Sequence, residues 1–230
     1  MSSYSGTDNL EVMQEAHNYN QYLIDLVTEH AGSAKSILDF GAGIGTFARI
    51  LKERGLPVSC LEPDSAQAKR IEKSGLNVYN ALESIKAQSL EYIYTLNVIE
   101  HIEDDKALLK ELRSKLKEGG RILIYVPAFM LLFSAMDTKV GHYRRYTAKS
   151  LKQLAKESGY GIEKSEYVDS AGFFATLLYK YIGDKDGGIN TGALIFYDRF
   201  LFPLSRFMDN FFRHIFGKNV YIVLKKESIG

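Results

Sequence analysis

The chain has 230 residues and a mass of 26.0 kDa; 46% of its residues are apolar and 25% charged, an ordinary globular composition that excludes a disordered chain. With 29 basic and 28 acidic residues the formal net charge is +1, so the broad basic footprint of a nucleic-acid binder is missing. A single cysteine, Cys60, excludes an internal disulfide framework and fits a reducing compartment.

Residues 1–9 are polar and read as loose, with no basic stretch leading into an apolar core, so no secretory signal is expected. From Asn9 to about His30, apolar residues at Leu10, Met13, Tyr19, Leu23, Leu26 and Val27 recur at helical spacing. Lys35–Phe40 reads as a buried strand, followed by the glycine turn Gly41–Gly45 and a helix from Thr46 to Arg54. Val58–Leu61 is a second strand, Asp64–Ser74 a helix, and Asn77–Tyr79 a short third strand. Tyr92–Leu96 is a fourth strand, Lys106–Lys117 a helix stopped by Gly119-Gly120, and Arg121–Val126 a fifth strand. Alternating strands and helices imply βαβ units and a parallel sheet covered on both faces. Residues 128–146 are rich in aromatic, Met, His and Arg residues without clear periodicity. A capped helix over Thr147–Ser158 and strands at Ile162–Val168 and Val220–Leu224 complete the pattern.

About fifty residues separate those last two strands, and they hold nine of the 13 phenylalanines. Phe196, Phe200, Leu204, Phe207, Phe211 and Ile215 fall on one helical face, with Pro203 expected to divide two helices. The expected organisation is an N-terminal helical cover (1–30), a core (31–169 and 218–230) and a helical aromatic insertion (170–217). No apolar run reaches the ~18 residues of a spanning helix, and the expectation is a soluble, cytoplasmic protein.

Asp39-Phe-Gly41-Ala-Gly43-Ile-Gly45 lies where a strand hands over to a helix. Glycines there permit a sharp turn and let a ligand approach main-chain N–H groups. Glu62 ends the second strand, 21 residues after Gly41, where a carboxylate can accept hydrogen bonds from ribose hydroxyls. A dinucleotide site must hold a pyrophosphate, which a carboxylate two residues ahead of the first glycine would repel. Asp39 instead suits a ligand with a cationic end, an ammonium or a sulfonium. The bland alternative is a turn-capping Asp39 and a solvated Glu62.

In these residues the sequence resembles the class I S-adenosylmethionine-dependent methyltransferases. The resemblance is carried by Ile37–Phe47, Leu61–Asp64, Thr95–Asp104 and Gly119-Gly120, and covers about residues 17–168 plus the last strand. It implies an α/β, Rossmann-like, doubly wound, mostly parallel seven-stranded sheet with an antiparallel last strand, and S-adenosylmethionine as cofactor. It implies that Asp39 and the backbone of Gly41, Ala42, Gly43 and Gly45 face the methionine moiety, with Glu62 and Pro63 at the ribose. Ala81 and Leu82 would lie near the adenine and Asn97 at the pocket floor. Tyr19 and Tyr22 either cover the cofactor's amino-acid end or pack on the sheet.

Methyl transfer is an in-line displacement, so the protein positions two reactants and removes a proton where the acceptor needs it. His142 and His101 are the candidate general bases, a helix-terminal hydrogen bond being the alternative for His101. Tyr143, Arg144, Arg145 and Tyr146 are candidate acceptor-binding residues; the arginines would clamp an anionic group, or pair with acids such as Asp137 to pin a loop. No His/Cys cluster has metal-ligand spacing, and Glu100, His101, Glu103, Asp104 and Asp105 read as a solvated acidic helix start, with a divalent-ion site as the alternative. No Asn/Asp-Pro-Pro-Tyr/Phe motif follows the fourth strand, which speaks against a nucleic-acid base as acceptor. The insertion reads as a lid over an apolar acceptor pocket; a dimer surface or a peripheral membrane contact are its alternatives, the latter weakened by acids at Asp184, Asp186, Asp198 and Asp209. Two other functions stay open at this stage, an NAD-dependent oxidoreductase and a non-catalytic nucleoside-binding module.

Overall fold

In the computed structural model, which describes residues 7–182 and 190–227, the alternating pattern becomes seven strands interleaved with ten helices. Helices α1 (Thr7–Met13) and α2 (His17–Ala31) lead into β1 (Ile37–Phe40), α3 (Thr46–Glu53), β2 (Val58–Leu61), α4 (Ser65–Lys73) and β3 (Val78–Tyr79). Then come β4 (Leu90–Leu96), α5 (Asp105–Lys115) and β5 (Leu116–Pro127), followed by α6 (Ala135–Val140), α7 (Ala148–Glu157) and β6 (Tyr160–Val168). The insertion supplies α8 (Ser170–Ile182), α9 (Thr191–Phe196) and α10 (Phe202–Phe212) before β7 (Asn219–Lys226).

The sheet order is β3-β2-β1-β4-β5-β7-β6, with β7 antiparallel to both its neighbours and the remaining described pairings parallel. Successive side chains of a strand point to opposite faces, and here both faces are buried. Leu38, Ile93, Ile122 and Ile124 pack with Leu109 and Leu112 of α5 and Leu151 of α7, while Ile37, Tyr92, Tyr94 and Leu123 pack with α2, α3 and Ile71 of α4. The chain runs outward from β1 to β3 and then returns to β4. The strand order therefore reverses between β1 and β4, the place where open α/β sheets leave a crevice beyond their carboxyl ends.

Three expected boundaries move. The N-terminal helix breaks at residues 14–16, because α2 receives its cap from the insertion: the N–H groups of Asn18 and Tyr19 donate to the Asp198 carboxylate at 2.9 and 2.8 Å. The expected stop at Gly119-Gly120 lies inside β5, since fully buried Leu116 pairs with Leu90 and enters the sheet early. Pro203 does not divide two helices. It sits in the first turn of α10, and a π-helical turn over Tyr197–Leu201 joins α9 to α10 in one unbroken run, a wider turn that absorbs a local misfit.

Candidate functional site

β1 delivers its last residues to the crevice, and the chain turns there into α3. Gly41 has φ +78°, and a Cβ on it would lie 2.5 Å from the Val98 side chain that follows β4; only glycine fits a left-handed turn pressed against that wall. Glu62 lies against the same turn. Its Oε2 accepts from the Gly43 N–H at 2.7 Å and its Oε1 from the Asp64 N–H at 2.9 Å, which leaves each oxygen a further lone pair. Pro63 is exposed beside it. Asp39 is 4% exposed, and its Oδ2 has no hydrogen-bond partner among the described residues. Burial pushes its carboxyl up to about 7, against the opposing influence of Tyr94 and with a further rise from Glu62. An ionised Asp39 is thus costly in the bare fold and is relieved by a cation brought against it. The turn that a Cβ would fill, the orphaned oxygen and the half-used Glu62 carboxylate together suit a nucleoside with a cationic tail.

Around the crevice the other expected residues divide. Asn97, at the end of β4, is exposed and holds φ +56°, with its N–H donating to the Tyr125 carbonyl at 2.8 Å. Tyr19 lies beside Asn97 and Tyr125, and burial pushes its phenol up to about 12. Tyr22 turns to the insertion instead: its ring packs on Phe202 at 6.0 Å and under the Arg206 guanidinium at 4.1 Å. Ala81 is exposed after β3, whereas Leu82 joins the core. Leu10, on α1, lies over Gly43.

The 128–146 segment folds back over the turn that follows β4. Arg145 grips both oxygens of Asp137 at 2.8 and 2.9 Å, and Arg144 reaches Asp105 at 3.0 Å and the Glu103 carbonyl at 2.8 Å. Tyr146 is buried, its hydroxyl donating to Asp105 at 2.7 Å. These contacts commit Arg145 and Tyr146 to pinning the loop, so of the four candidate acceptor-binding residues only Tyr143 is largely open, at 55% exposure. The pinned loop carries His142 to the site. Its Nδ1 lies 2.7 Å from Asp137 Oδ1, and its ring stands 4.5 Å from that of His101. Burial works to raise the Asp137 carboxyl, but hydrogen bonds from His142 and Arg145 outweigh it and hold the group well below the usual carboxylate range.

Glu100 corrects the expectation of a solvated acidic helix start. It is fully buried, neither carboxylate oxygen has a hydrogen-bond partner among the described residues, and burial pushes it up to about 8. A cluster that sequence spacing does not show also forms there. Ligand atoms of Glu100, His101 and His142 lie within 4.8 Å of one another, a carboxylate and two imidazoles of the kind that bind divalent transition metals. His101 is held down to about 4, by burial first and then by His142, so it stays neutral as a ligand must. The Asp137 carboxylate on Nδ1 of His142 holds the ring in the way a carboxylate orients a ligating imidazole. Spacing alone does not reveal this cluster, because Glu100-His101 and His142 meet only when the long loop folds back.

The sequence profile of the methyltransferase-domain family matches residues 15–165, about two thirds of the chain, and the chain belongs to that family. Its mostly parallel seven-stranded sheet with an antiparallel last strand agrees with the fold expected of the class I S-adenosylmethionine-dependent methyltransferases. Among curated proteins it is similar to the ubiquinone biosynthesis O-methyltransferase of Idiomarina loihiensis, 29% identical over 118 residues (46% of this chain and 49% of that protein). It is likewise similar to an uncharacterized methyltransferase of Staphylococcus carnosus, 30% identical over 122 residues (51% and 58%). The chain spans about half the length of these curated relatives. Among solved structures it shares the fold of a Thermotoga maritima S-adenosylmethionine-dependent methyltransferase, described as a possible histamine N-methyltransferase, at TM-score 0.63 and 17% identity over 96% of this chain and 95% of that one. It also shares the fold of Haemonchus contortus phosphoethanolamine N-methyltransferase 2 in complex with S-adenosyl-L-methionine, at TM-score 0.60 and 21% identity over 90% and 53%.

Proposed function

We propose that this protein moves a methyl group from S-adenosylmethionine to an O, N or C nucleophile of a small, partly apolar molecule. Two observations support the reading: the buried, orphaned Asp39 on β1, where the strand order reverses, and the Asp137-held His142 brought against His101 after β4. The cofactor supplies, when bound, a sulfonium methyl whose carbon–sulfur bond breaks as the bond to the acceptor forms. In this reading Asp39 and the N–H groups of the Gly41–Gly45 turn hold the cationic amino-acid end, Glu62 takes the ribose hydroxyls, and Tyr19 and Asn97 close the floor. Asp137 fixes the imidazole of His142 so that Nε2 receives the acceptor's proton, a general-base role worth roughly 10²–10⁴ in rate. Residues 31–169 and 218–230 serve as the cofactor core, with the insertion walling the acceptor side through Phe202 on Tyr19 and Phe173 on Phe129.

The test is His142→Ala. Turnover on an accepted substrate should fall at least a hundredfold while cofactor affinity stays within about threefold; undiminished turnover removes His142 as the base. The Glu100, His101 and His142 cluster supports a second reading, in which the three hold a divalent cation that supplies Lewis acidity to the acceptor. Under that reading EDTA abolishes turnover and a divalent metal restores it. Turnover indifferent to EDTA leaves His142 acting alone.

A further inference from the structure

The outer face of the insertion has no use in the reading above. From Thr191 to Phe212 the chain is one helical run, about 33 Å long at 1.5 Å per residue. Phe202, Ser205 and Asp209 turn inward and are buried, while Phe196, Phe200, Leu204, Phe207, Phe211 and Ile215 are 51% to 67% exposed. Such a continuous apolar face on a soluble domain marks an interaction surface.

Charge decides what covers it. Sequence spacing alone interleaves acids with bases here, but the structure buries Asp198 and Asp209. Asp198 is buried as the cap of α2, and Asp209 is buried as the cap of α8, accepting from the N–H groups of Asp169 and Ser170 at 3.1 and 2.9 Å. Asp184 and Asp186 lie outside the described residues. Arg199, Arg206 and Arg213 recur every seven residues, which places them along one edge of the run, between its buried face and its apolar stripe. Arg206 is turned inward onto Asp209 and Tyr22, Arg213 is exposed with Glu166 3.8 Å away, and Arg199 is exposed against Phe200. Among the described residues of the insertion, every exposed charge is therefore basic. An antiparallel two-fold pairing of two such helices would set like edges together and bring the arginine row against its own copy.

We propose that this face is an interfacial docking surface for an anionic lipid bilayer, with the stripe seated at the headgroup boundary and the exposed Arg199 and Arg213 on the phosphates. No described helix is long and apolar enough to cross a membrane, so the contact is peripheral and reversible. Its inner face packs on Tyr19 beside the crevice, so docking sets the acceptor side next to the bilayer; that consequence alone rests on the reading of the site given above.

The test is flotation with vesicles of phosphatidylcholine alone and of phosphatidylcholine with about 30% phosphatidylglycerol, which adds the negative surface potential that attracts basic residues. The full chain is used without cofactor, so the result is independent of methyl transfer. Wild type should float with anionic vesicles at least tenfold more than with neutral ones. Phe207→Ser/Phe211→Ser should lose that binding, and Arg199→Glu should reduce it severalfold, with thermal unfolding near wild type for both. No uptake by anionic vesicles overturns the proposal, as does equal uptake by neutral ones. A stable dimer in light scattering that Phe207→Ser/Phe211→Ser dissolves, without vesicle binding, assigns the face to a second copy instead.

Discussion

The Asp39–Thr46 corner and the 170–217 insertion both depend on buried aspartates, and the two regions use them in opposite ways. In the insertion Asp198 and Asp209 receive backbone N–H groups at the starts of α2 and α8, so each carboxylate satisfies donors that a helix start would otherwise leave open. At the corner Asp39 has an oxygen with no partner among the described residues, and Glu100, in the turn after β4, has two. A buried carboxylate with donors holds the fold together. One without them is a cost to the fold, and its presence points to a ligand.

Substitutions sharpen that contrast in descending order of effect. Asp209→Ala should cost most, about 3 kcal/mol in urea unfolding, since it orphans two helix-start N–H groups and the Arg206 partner at once; cofactor affinity per folded molecule should not change. Asp39→Asn should reverse the sign. The folded-state carboxyl titrates near 7, above its unfolded value near ~3.9, so ionisation disfavours the fold increasingly as pH rises from about 4 to about 7 and fully beyond. The Asn variant should therefore be more stable than wild type at pH 8, by about 1–3 kcal/mol, and equal to it near pH 4. Glu100→Gln should do the same over a window reaching to about 8, with a loss of turnover if the carboxylate serves the acceptor. Smallest of all, Tyr22→Leu should leave cofactor affinity within about twofold, because that ring serves Phe202 and Arg206.

The same contrast explains what could be read without the structure. Local signals carried the core: Arg121–Val126 is apolar enough to be a central strand, and the Gly41–Gly45 turn carries its own backbone requirement. The parallel sheet and the position of Glu62 follow from signals of that kind, and the antiparallel last strand from the family resemblance. What was not legible depends on chain segments far apart. The α2 cap comes from Asp198, 180 residues away, and nothing near Asn18 announces it. Glu100 is solvated by local reading and buried once Tyr143 donates its N–H to the Glu100 carbonyl at 2.8 Å and the loop closes over it. Arg145 offers the same guanidinium to a substrate anion or to Asp137, and only the folded loop decides for Asp137.

The role proposed for the Asp39 carboxylate is to meet a cationic ligand with its unpartnered oxygen. It is tested most directly by calorimetric titration of S-adenosylmethionine from pH 5 to pH 8.5, in wild type and in Asp39→Asn. Binding should tighten with rising pH up to about 7 and then level off, as the carboxyl ionises, while the Asn variant should bind at least tenfold more weakly with no such pH dependence. A wild-type affinity flat across that range, or an Asn variant that binds as tightly at pH 8, contradicts the account.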